Sequence, residues 1–275
     1  MPPAAPATPQ LAATVRLVAA VGALLLTLAI LIGGRVPDAV QLMSRFSDKL
    51  MHALAYGALA GLWCIALGGR HRHRVAAVAA AVCTALLDEW LQRSLPGRQA
   101  DVADLVADAV GAVVGAWLAL PVARQLLRAP GWIRAGTVYF ALVFGAGFVL
   151  GVLRVPFFEP LIGDRLAQLA EMPLMALVIV LAARWLVRRN AAALSPRACL
   201  AAGLLAAAGV LLADALVGIV LRGMTPWQVI AGRDVLAGLA YYTLIAVLAL
   251  APWLVRRAGV GSGASAKPGS DSTSG

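Results

Sequence analysis

Charge is what this chain has least of: 13% of its 275 residues are Asp, Glu, Lys or Arg, about half the share of an ordinary soluble domain. Acids are the scarcer sign, 13 against 23 basic residues. A chain so poor in charge lacks the polar surface that a water-soluble fold of this size needs. Cysteine is rare as well. Cys64, Cys83 and Cys199 lie inside apolar runs without CxxC spacing, which excludes a disulfide framework and a thiolate metal site. They read as small core residues. No P-loop, Rossmann glycine pattern, GxSxG or HExxH occurs, so nucleotide-driven pumping and the familiar hydrolase chemistries have no support. Alternating β-branched runs are absent too, which removes a transmembrane barrel.

What fills the sequence is Ala, Leu, Val and Gly. Hydrophobic residues make up 61% of the chain and the mean hydropathy is +0.86. Runs of about 20 such residues, each long enough to cross about 30 Å of hydrocarbon as a helix, recur eight times. They fall at about 14–33, 50–69, 75–94, 102–121, 135–153, 166–186, 199–221 and 234–254. The expected fold is all-α: a polytopic helical membrane protein of about eight spans. The bilayer is its first partner. The net charge of +10 is spread over the connections, so nucleic acid is not expected as a partner. Residues 1–13 are Pro/Ala-rich and residues 258–275 Gly/Ser-rich, and both read as disordered tails.

Orientation follows from the basic residues. Most of them lie in the even-numbered connections and the two tails, which places both termini in the cytoplasm. The segment GGRHRHR at 68–74 then reads as a polybasic cytoplasmic turn near anionic lipid, with His71 and His73 lacking the further ligands a metal would need. Trp90, Trp132 and Trp253 read as interfacial anchors. Of the acids, Asp271 alone falls on the cytoplasmic side. The rest gather in the outward half.

The halves of the chain resemble each other. RVPDAVQLMSRFSDKLMHALAYGALA, from Arg35, returns as RVPFFEPLIGDRLAQLAEMPLMA, from Arg154. Asp48-Lys49 matches Asp164-Arg165, while His52 and Tyr56 become Gln168 and Met172. Pro96 and Asp104 match Pro226 and Asp234, and Arg98 and Asp101 become Gln228 and Ala231. Two four-helix membrane repeats are expected, 14–128 and a degenerate copy at 129–257. An even number of spans per repeat makes them parallel.

Three segments of the first half carry the chemistry. Asp48, Lys49, His52 and Tyr56 open the second span, with Asp48, His52 and Tyr56 at i, i+4, i+8 on one helical face. Asp88, Glu89 and Gln92 close the third. After the Pro96-Gly97 turn, Asp101, Asp104 and Asp108 follow at i, i+3, i+7, and Gly111 and Gly115 continue their face. Carboxylates in the first turns suit the positive end of a helix dipole. Asp108 lies deeper, where a charge facing lipid costs about 2.5–3.5 kcal/mol, and the small-xxx-small strip beneath it invites a neighbouring helix. The residues are expected to line one outward-opening polar pocket, with Arg98 and Lys49 as counter-charges. Glu171 and Asp214, inside the later spans, either join a central polar path or pair with Arg165 or Arg222.

DKLMHALAY, DEWLQ and PGRQADVADLVADAVGAVVG together resemble the VanZ-like family of bacterial membrane proteins, over residues of about 40–120. The family usually carries Asn where this chain has Asp108. It is named for a protein associated with low-level resistance to teicoplanin, so the resemblance implies a cell-envelope protein linked to antibiotic resistance, without supplying a reaction. The expected activity is binding of a lipid-linked envelope precursor or a glycopeptide-type ligand at the outward pocket. Two alternatives remain: an enzyme acting on lipid headgroups, with His52 as acid or base held by Asp104 or Glu89, and a proton-coupled transporter using Asp108 and Asp214. No cofactor and no metal are expected.

Overall fold

The computed structural model describes residues 9–33, 45–93, 102–190, 193–221 and 223–264. Among these, every regular element is helical. In order they are α1 (Pro9–Gly33), α2 (Arg45–Leu67), α3 (His71–Gln92), α4 (Val102–Arg128), α5 (Gly131–Leu153), α6 (Glu159–Ile162), α7 (Asp164–Arg189), α8 (Pro196–Leu216), α9 (Pro226–Ala231) and α10 (Val235–Ala264). Eight of them, all but α6 and α9, are long and apolar enough to cross a membrane. α1 begins, and α10 ends, inside the segments read from sequence as tails.

Local chemistry sets the ends. Gly68 and Gly69 take positive φ, 93° and 73°, and their amides close back onto Ile65 and Cys64 carbonyls at 3.1 and 3.0 Å. That left-handed cap ends α2 and turns the chain at once into α3. Ser195 caps α8 by accepting from the Ala198 amide, with Pro196 at the first helical position. Asp234 accepts from the Leu236 and Ala237 amides at the start of α10. Two π-helical turns, Arg154–Phe158 and Val217–Leu221, prolong α5 and α8. Sequence periodicity gave no sign of them.

Two apolar cores form, one per half. The first packs Tyr56, Leu59 and Cys64 of α2 against Ala77, Ala81 and Ala85 of α3 and Ala112 and Ala116 of α4, with Ala23 of α1 behind. The second gathers α5, α7, α8 and α10 around Tyr139, Leu186 and Leu248. Small residues at the seams let the helices approach closely, and Leu, Val and Trp are left on the outside. Leu24, Leu28, Trp117 and Leu212 are all more than half exposed. In water such a surface would aggregate; in a bilayer it is ordinary.

α2 and α4 pack most intimately, and they run parallel. A methyl added at Gly115 would overlap the Gly57 carbonyl, and one at Gly111 the Ala53 carbonyl. The backbones touch where Gly57 and Gly61 meet Gly111 and Gly115. Among the described residues α7 packs on α5 and α10 as α2 does on α1 and α4, and α8 on α10 as α3 does on α4, but α8 packs closely on α5 where α3 barely meets α1, and the α2–α3 packing has no close counterpart between α7 and α8.

Candidate functional site

The glycine contact fixes the register of α2 against α4, and the register brings their polar side chains together. One to two turns above the glycines, Lys49 pairs with Asp104 and His52 with Asp108. The His52 Nδ1 to Asp108 Oδ1 distance is 2.8 Å. Asp108 is 2% exposed, and a carboxylate so placed in a membrane protein is costly without a partner. His52 is that partner, the nitrogen facing Asp108 being Nδ1.

α3 supplies the other wall. Gln92 Nε2 donates to Asp88 Oδ2 at 2.8 Å, within one helical turn. The Tyr56 hydroxyl reaches the same oxygen at 3.5 Å, a long contact at the limit of hydrogen bonding. The His52 and Tyr56 rings lie near parallel, 6.3 Å apart. Among the described residues the buried polar or charged side chains are Asp88, Gln92 and Asp108. All three belong to this group, so the chain's polar interior is concentrated between α2, α3 and α4.

The remaining sequence candidates divide. Asp48 and Glu89 are half-buried at the same end of the bundle. Arg98 and Asp101, with the Pro96-Gly97 turn, lie outside the described residues, as does Arg222. Two pairings differ from expectation. The partner of His52 is Asp108, rather than Asp104 or Glu89, because Lys49 holds Asp104 one turn higher. Glu171 pairs with Arg154 at 3.1 Å in place of Arg165, and Asp214 pairs with Arg233 at 2.5 Å. The π-helical turn at Arg154 aims its guanidinium also at Glu159 and Asp164, at 3.0 and 3.2 Å. Arg165 instead pairs with Asp234 at 3.3 Å.

Sequence reasoning missed Gly57 and Gly61, the α2 side of the contact. Their signal was present: GALAG is a second small-xxx-small strip, on the helix that carries His52. It also expected no metal, yet Asp48, His52 and Asp104 each bring a ligating atom within 4.8 Å of the others.

Helices α1–α4 thus bring Lys49, His52, Asp88, Gln92, Asp104 and Asp108 together at one end. The VanZ/LLP1 family model matches residues 17–127, so this part of the chain is similar to that family. No curated protein and no solved structure matches the chain.

Proposed function

We propose that the protein is an envelope protein of the bacterial inner membrane, with both termini cytoplasmic, that binds a polar envelope ligand at the outward end of α2–α4. A lipid-linked precursor headgroup or a glycopeptide-type ligand fits that location. The supporting observation is the ladder Lys49–Asp104 and His52–Asp108 beside Asp88–Gln92. Ion pairs near a water-exposed rim exchange partners at low cost, so an incoming ligand can take up Lys49 or Asp104. The deeper His52–Asp108 and Asp88–Gln92 contacts keep the frame fixed. The basic residues at the opposite end support the orientation. The Arg165–Asp234 pair falls at the positions matching Lys49–Asp104, which supports a degenerate second repeat.

The test is glycopeptide susceptibility in cells carrying Lys49→Gln or Asp104→Asn at equal membrane levels. Loss of the phenotype with protein levels intact supports the reading. Unchanged susceptibility, together with unchanged binding of envelope lipids by the purified variants, contradicts it.

A second reading rests on one observation. A buried carboxylate on Nδ1 orients an imidazole so that Nε2 can accept or give a proton. Acid–base chemistry on a lipid headgroup is then available to His52. Incubation with envelope lipids that yields a new product, lost in His52→Gln, would establish it. Binding without any product removes it.

A further inference from the structure

Asp48 and His52 of α2 and Asp104 at the start of α4 each present a ligating atom, and these three atoms all lie within 4.8 Å of one another. That is close enough for a single ion to touch all three. The donor set is one imidazole nitrogen and two carboxylate oxygens, with no thiolate. Such a set suits a borderline divalent ion, Zn2+ foremost, and leaves a coordination position open to water or ligand. The purely oxygen cages of Ca2+ and Mg2+ would not need the imidazole.

The orientation of His52 supports this. Its Nδ1 is engaged by buried Asp108 at 2.8 Å, so Nε2 is the nitrogen left to coordinate. A carboxylate behind a histidine fixes its ring and strengthens it as a donor. We propose that Asp48, His52 and Asp104 form a divalent transition-metal site, with Asp108 as the residue that positions His52. Lys49 competes for it, because its ammonium pairs with Asp104. The matching positions of the second half carry Asp164, Gln168 and Asp234. There Gln168 replaces the imidazole and donates to Asp164 at 2.7 Å, so the chain takes one ion. The inference is independent of the envelope-ligand reading, since the ion is tested alone.

The chain has 3 histidines, and His71 and His73 lie at the far end of α2 and α3. The experiment therefore uses the full chain in lipid nanodiscs, without a histidine tag, carrying His71→Ala and His73→Ala. Zn2+ titrated by calorimetry should bind at one equivalent. Co2+ should give a visible absorption band that Zn2+ displaces. His52→Gln should abolish both while preserving the helical circular dichroism of the parent. Asp48→Asn, at the half-buried rim, and Asp108→Asn should each weaken binding by about tenfold or more. Lys49→Gln should tighten it severalfold. Absence of Zn2+ binding, binding that persists in Asp48→Asn and His52→Gln, or no change in Lys49→Gln overturns the site.

Discussion

At the scale of single residues, burial separates the polar side chains by role. Asp108 and Asp88 are enclosed; Asp108 meets His52, and Asp88 accepts from Gln92. Asp108→Asn preserves an acceptor of the same size for His52. It should melt close to the parent, which agrees with the amide that the VanZ-like pattern usually carries there. Asp108→Leu leaves His52 unsatisfied and should cost about 1–3 kcal/mol, read as a lower midpoint of thermal unfolding in detergent. Equal melting of both variants would mean that His52 finds another partner. Gln92→Leu should be destabilising by a similar amount, since Asp88 then loses a donor within its own turn. Sequence spacing placed these residues on the right faces. It did not give the partners, because a face shared by Asp104 and Asp108 is compatible with two registers against α2, and only backbone packing chooses between them.

At the scale of helices, the α2–α4 seam decides the geometry. Gly115→Val forces a branched side chain into the Gly57 carbonyl and should destabilise by about 1–3 kcal/mol or more. It should also weaken any function of the pair Lys49–Asp104, because the ladder depends on the same approach. Gly145→Ala is the contrasting case: nothing lies within 4 Å of a methyl there, so thermal melting should be unchanged or up to about 1 kcal/mol more favourable. Equal loss in both variants would show that helix propensity, rather than close approach, explains the glycines. The spans themselves were legible, since twenty apolar residues admit one solution in lipid. The π-helical turns were not. The one at Arg154 accompanies a meeting of its guanidinium with carboxylates of two further helices, Glu159 of α6 and Asp164 and Glu171 of α7, which helical periodicity does not encode.

At the scale of the whole molecule, the two separate cores imply that each half inserts and packs by itself. Contacts between halves run through α1 and α4 against α5, and α2 against the turn at Val217–Leu221. A chain divided at Ala129-Pro130, expressed as two fragments, should therefore yield two inserted halves that co-purify. Recovery of the second fragment only as aggregate would show that the halves need covalent linkage to fold. Composition made the membrane class plain, and the motif positions pointed to the stretch that the VanZ/LLP1 family model matches. The arrangement of the second half was less accessible, because matched residues such as Arg165 and Asp234 still meet while the surrounding helices pair differently.

The proposed orientation opens the charged ends of α2 and α4 to the outer medium together, opposite the basic turn between α2 and α3. It is tested most directly by labelling intact cells with a membrane-impermeant maleimide, in a chain whose Cys64, Cys83 and Cys199 are replaced by Ala. Lys49→Cys and Asp104→Cys should both react in intact cells, and Arg72→Cys only after the membrane is breached. Labelling of Arg72→Cys in intact cells, or reaction of Lys49→Cys and Asp104→Cys from opposite sides, would contradict the account.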